Sequence, residues 1–139
     1  MKHNILLFSF TLVFVFLFSC MGNSQATKIS GSNGGTSSIE VIQFHSEHRC
    51  VTCNLIEKLT RETLIEHFPN TPFILVNVDD NKNEKIAEEF EATGTALFIY
   101  NPKSKKKKDL TDFAFMNAKN KPEDFKKGIK REVEQFLKN

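Results

Sequence analysis

The run Phe73-Ile74-Leu75-Val76-Asn77-Val78 is almost continuously apolar and rich in β-formers, the pattern of a central strand covered on both faces. Strands of that kind belong to α/β sheets, so helical segments are needed on either side of it. The chain supplies them. Upstream, Ile39 to Phe44 alternates and then runs apolar, which reads as a strand, and His45 to Arg49 forms a polar loop. A helix is expected from about Cys50 to His67, with Leu55, Ile56, Leu59 and Thr63 on one face. Leu64, Ile65 and Phe68 do not continue that face, so the spacing predicts a kink or a second buried surface. Pro72 bars any continuation toward the apolar run.

Downstream, Asp79 to Asn83 offers caps, and Ile86, Ala87 and Phe90 recur at helical spacing until Gly94. Thr95 to Tyr100 is strand-like again, Asn101-Pro102 marks a turn, and Lys107 to Thr111 is expected to return as an antiparallel neighbour. Pro122 then opens a helix with Phe125, Ile129, Val133, Phe136 and Leu137 in one stripe. Phe113, Phe115 and Met116, just before it, are expected to pack against this helix, the other reading being a partner-binding surface. The predicted order is β-α-β-α-β-β-α.

The first 38 residues stand apart. Lys2 and the apolar stretch from Ile5 to Phe18 suit a signal-peptide core and are too short for a mature membrane-spanning helix. The ending Leu17-Phe18-Ser19-Cys20 resembles the lipobox of bacterial lipoproteins, although Phe18 is bulkier than usual there. That resemblance makes 1–19 the signal peptide, Cys20 the lipid-bearing residue, and the mature protein extracytoplasmic and anchored to a bacterial cell membrane. Residues 20–38 are rich in Gly, Ser, Asn and Thr, a flexible linker with a reach of roughly 25 Å. The folded domain is expected at 39–139.

With Cys20 lipidated, Cys50 and Cys53 are the remaining pair, set where a loop enters a helix. Unpaired N–H groups and the positive dipole end at a helix start favour a thiolate, which makes Cys50 the nucleophile and the more shielded Cys53 the resolving thiol. His48 and Arg49 add positive charge beside Cys50. The alternatives are a permanent stabilising disulfide, and a soft-metal or arsenite module in which His45 or His48 joins the two thiolates. No second CxxC completes a zinc signature, and Asn54 in place of histidine disfavours c-type haem attachment. No flavin or nicotinamide fingerprint is present, so no cofactor is expected. The formal net charge of +2 over 139 residues and the lack of an aromatic-interleaved basic motif argue against nucleic acid. Five lysines between Lys103 and Lys108 read most simply as a solvated hairpin edge, the sharper reading being a patch for an acidic partner or anionic membrane.

A strand, a CxxC opening a helix, then βα and ββα is similar to the thioredoxin fold over about residues 39 to 139. More narrowly, His48-Arg49-Cys50-Val51-Thr52-Cys53, Asn77-Val78-Asp79, Thr93-Gly94-Thr95-Ala96-Leu97-Phe98 and Asp109-Leu110-Thr111-Asp112-Phe113-Ala114-Phe115 resemble a family of small bacterial thioredoxin-like proteins. Those are described as subunits of a nitrophenyl-compound nitroreductase and are associated with arsenic-resistance clusters. The resemblance implies a central mixed sheet flanked by helices, a thiol–disulfide redox pair, and a redox partner protein, with electrons reaching an acceptor through another subunit. A non-catalytic adaptor subunit is the alternative. Three departures from thioredoxins matter. Val51-Thr52 replaces their Gly-Pro, and Gln43 stands where they bury a carboxylate, leaving Glu47 or His48 as the candidate proton acceptor for Cys53. Ala96 takes the place of their cis-proline, so Thr95-Ala96 is expected to be trans.

Overall fold

The computed structural model describes residues 27–29 and 37–138, so the expected signal peptide, Cys20 and most of the expected linker lie outside the described residues. Ten elements follow in order: β1 (Thr27–Ile29), β2 (Glu40–His45), α1 (Val51–His67), β3 (Phe73–Asn77), a 3-10 turn (Asn81–Asn83), α2 (Glu84–Glu89), β4 (Ala96–Tyr100), β5 (Lys107–Asp109), α3 (Thr111–Asn117) and α4 (Pro122–Leu137). The sheet order is β1-β3-β2-β4-β5. β2 runs parallel to β3, with Val41 opposite Phe73, and antiparallel to β4, with Phe44 opposite Ala96. β5 returns antiparallel to β4 as the hairpin predicts. This is a thioredoxin-like α/β fold.

The most apolar run is not the middle of the sheet. β3 sits one place off centre, and β2 holds the middle with Val41, Ile42, Gln43 and Phe44 all buried. Because side chains alternate along a strand, β2 feeds two cores. Ile39 and Val41 face α1 and α4, where Ile56, Leu59, Leu64, Phe125, Ile129 and Val133 close the larger cluster. Ile42 and Phe44 face the other side, where the Phe90 ring, just past α2, lies 5.1–5.3 Å from those of Phe44, Phe98 and Tyr100. Full burial of one such phenylalanine contributes about 2–3 kcal/mol.

Four local readings need correction. Leu64 joins the buried face of α1 while Ile65 is 66% exposed, so the helix has one broad apolar face and a single misplaced isoleucine. α2 stops before Gly94. Glu91 takes a left-handed φ of 54°, and the amides of Glu91 and Ala92 close back on Glu88 and Ala87, a Schellman ending that needs no glycine. Thr27–Ile29, within the expected linker, pairs antiparallel with Phe73–Leu75.

The fourth concerns α3, a helix absent from the predicted order. Its start is fixed by Asp109, whose carboxylate accepts the Thr111 N–H at 2.7 Å, while the Thr111 hydroxyl accepts the Leu97 N–H at 3.1 Å. Its buried stripe is Leu110, Ala114 and Ala118. Phe113 does reach α4, stacking on Phe125 with centroids 5.9 Å apart, whereas Phe115 and Met116 face solvent.

Gly128 makes that stacking possible, because a Cβ there would overlap the Phe113 ring. In a helix interior Gly→Ala ordinarily gains up to about 1 kcal/mol. Here the overlap outweighs that gain: Gly128→Ala should destabilise by about 1–3 kcal/mol in urea unfolding, and adding Phe113→Ala should make the Gly128→Ala step neutral or favourable.

Candidate functional site

The loop 46–50 delivers Cys50 to the N-cap of α1, and the helix then carries Cys53 one turn inward. The two form a disulfide with Cα atoms 5.1 Å apart. Cys50 is exposed and Cys53 only 5% so, the asymmetry expected of an attacking and a resolving sulfur. As N-cap, Cys50 replaces the usual oxygen with sulfur: the Cys53 N–H donates to Cys50 Sγ at 3.1 Å. No acidic residue occupies the first turn to oppose a negative charge there.

Two polar side chains hold Cys53. The Thr95 hydroxyl donates to its Sγ at 3.1 Å, and the fully buried Gln43 donates its side-chain amide to its backbone carbonyl at 3.0 Å. No described peptide bond is cis, so Thr95-Ala96 is trans as expected. The loop before β4 therefore meets the disulfide through a threonine side chain. Thr95 and Ala96 also line a groove of about 550 Å³ that runs past Gly94, Phe90 and Phe98 to Lys107. Val51, inside the CxxC, is 78% exposed beside Cys50.

The tuning residues expected from sequence are placed differently. His48 and Glu47 are exposed on the loop, and neither hydrogen-bonds to a cysteine sulfur; Glu47 is held only by its backbone N–H on the Asp79 carboxylate at 2.8 Å. Arg49 folds back along the helix to Glu57 at 2.5 Å, and Arg61 takes the other Glu57 oxygen at 2.6 Å. Its charge near Cys50 is thus partly compensated, the trio keeping one net positive charge. The 57/61 pair follows helical spacing and is legible in the sequence, but the 49/57 pair requires the fold. Among the described residues no three His, Cys, Asp or Glu side chains gather as metal ligands, and His45 bonds through its ring to the Ser46 carbonyl.

The lysine run guards an edge. Lys105 lies over the Tyr100 ring, Lys107 lies over Phe90 and donates to the Glu89 carbonyl at 2.6 Å, and Lys108 pairs with Glu132. Three of the five lysines are thereby turned back onto the domain around the short edge strand β5.

No protein-family model matches the chain, and no curated protein does. Among solved structures, one described as "Structure of a malarial protein" is 17% identical over 57% of this chain and 93% of its own, with a TM-score of 0.41. A likeness of that size carries no argument, so the reading of the site rests on its geometry.

For Glu57, burial raises the carboxyl, but the bonds from Arg49 and Arg61 and their charges outweigh it and hold it below its usual 4.5. A carboxyl lowered in the folded state stabilises fully above its unfolded value and loses that contribution as pH falls through the lower folded value. Glu57→Gln should therefore cost on the order of 1 kcal/mol at pH 7. In urea unfolding repeated near pH 3 the gap to the parent should narrow.

Proposed function

We propose that this chain is a thiol–disulfide oxidoreductase working through Cys50 and Cys53. The observation that carries the reading is the Cys53 N–H directed onto an exposed Cys50 sulfur at a helix N-terminus. The same donor and helix dipole stabilise the thiolate that attacks or leaves. In the reducing direction, the Cys50 thiolate attacks a partner disulfide, forming a mixed disulfide and expelling one partner thiolate. Cys53 then loses its proton and attacks Cys50 Sγ, so the partner leaves as its second thiolate and the Cys50–Cys53 bond closes. Two electrons pass to the partner. The groove beside Thr95 and Ala96 gives the partner's chain a place to lie, and exposed Val51 offers it an apolar contact.

The lipobox-like Leu17-Phe18-Ser19-Cys20 supports an extracytoplasmic protein tethered to a bacterial membrane through lipid on Cys20. In an oxidising compartment a reductase needs a partner that returns electrons. The motifs around Cys50, Thr95 and Asp109 support a role as the thioredoxin-like subunit of a nitroreductase-type redox system, which would supply that partner and a terminal acceptor.

The test is thiol trapping with mass detection on the full chain carrying Cys20→Ser, equilibrated across glutathione buffers. A reversible two-electron couple between about −120 and −270 mV is expected. Cys50→Ser should abolish exchange and Cys53→Ser should accumulate the mixed disulfide; exchange retained by Cys50→Ser overturns the assignment.

A further inference from the structure

Gln43 carries an unexplained atom. Its side chain is wholly buried in the central strand, and while its nitrogen serves the Cys53 carbonyl, its Oε1 has no hydrogen-bond partner among the described residues. Rotating the amide would not relieve this, because Oε1 would then face the Cys53 carbonyl, acceptor against acceptor. Arg49 Nε and Nη2 are likewise buried without partners among the described residues, so they do not serve it. A buried acceptor left unmade costs roughly 1–3 kcal/mol. Sites that keep such an atom call for a reason.

Reduction of the disulfide creates the missing donor. When two glutathione thiols reduce Cys50–Cys53, they give up two electrons and two protons and join as glutathione disulfide. The protein's S–S bond breaks, and each cysteine sulfur gains one electron and one proton. Cys53, shielded from water, then holds an S–H on the residue whose backbone carbonyl Gln43 already bonds.

We propose that Gln43 is a positioning residue for Cys53, its Oε1 accepting the Cys53 S–H in the dithiol form. This rests on the oxidoreductase reading and deepens it. The acceptor is unsatisfied in the disulfide and satisfied in the dithiol, so Gln43 biases the couple toward reduction. With Thr95 still donating to the sulfur, the reduced site becomes a chain from the Thr95 O–H through the Cys53 S–H to the Gln43 C=O, whose members strengthen one another.

Gln43→Met keeps an unbranched side chain of similar length and removes the amide. In the full chain carrying Cys20→Ser, it should lower the equilibrium constant for reduction by glutathione roughly tenfold, a shift of about 30 mV to more negative potential. An unchanged constant in the folded variant means that Gln43 only ties strand to helix, and overturns the proposal. The Gln43 Cδ resonance of the unmutated site gives a second reading that needs no variant to fold. It should move downfield on chemical reduction, and an unmoved signal overturns the proposal as well. Failure of the unmutated protein to cycle in glutathione would instead overturn the oxidoreductase reading.

Discussion

The hydrogen bond from Gln43 to the Cys53 carbonyl fixes the start of α1 against the middle strand, and the site depends on it. β2 is flanked on both sides, so each of its inner side chains must be buried whatever its polarity. Ile39 and Val41 satisfy this toward α1 and α4, and Ile42 and Phe44 toward the aromatic cluster. Gln43 is the exception, a polar group at a position that packing alone would give to an aliphatic residue. Its nitrogen is compensated by the first turn of the helix. The CxxC is thereby held at a fixed height over the sheet, with Cys50 at the rim and Cys53 beneath it.

The elements with strong periodicity were legible: β2, α1, β3, β4 and α4 follow from apolar runs and stripes, and Asn101-Pro102 gives the hairpin turn. What stayed hidden has identifiable causes. α3 is short and its buried stripe is mostly alanine, so the larger Phe113, Phe115 and Met116, off that stripe, masked the period. Gly94 is the nearest stop signal after α2, but backbone hydrogen bonds at Glu91 and Ala92 already close the helix. β3 looked central because apolarity marks burial, and burial does not reveal strand order.

At the site, sequence spacing located both sulfurs and the helix terminus, because those depend on neighbours a few residues apart. The partners of the residues around them depend on contacts that spacing does not carry. Arg49 stands beside Cys50 in the chain, but its long side chain reaches Glu57 two turns along the helix. Glu47 and His48 carry titratable groups near Cys50 in the chain, and in the disulfide form both are exposed and make no bond to sulfur. Thr95 lies 42 residues from Cys53, and nothing short of the sheet topology brings its hydroxyl to 3.1 Å from that sulfur.

These placements give Cys53 a distinctive setting. The side chains that hydrogen-bond to Cys53, Thr95 at its sulfur and Gln43 at its carbonyl, are both neutral and do not titrate in the range where thiols work. Neither can remove the Cys53 proton for good, as a buried carboxylate could. On the oxidoreductase reading, the Cys53 proton has two ways out, through the Thr95 hydroxyl beside the groove or onto the partner's departing thiolate. The second route couples deprotonation of Cys53 to the leaving group of the mixed disulfide, since a thiolate expelled beside the site is itself a base. On that reading, Cys53 is activated in the mixed disulfide itself, the species in which Cys50 Sγ is open to its attack.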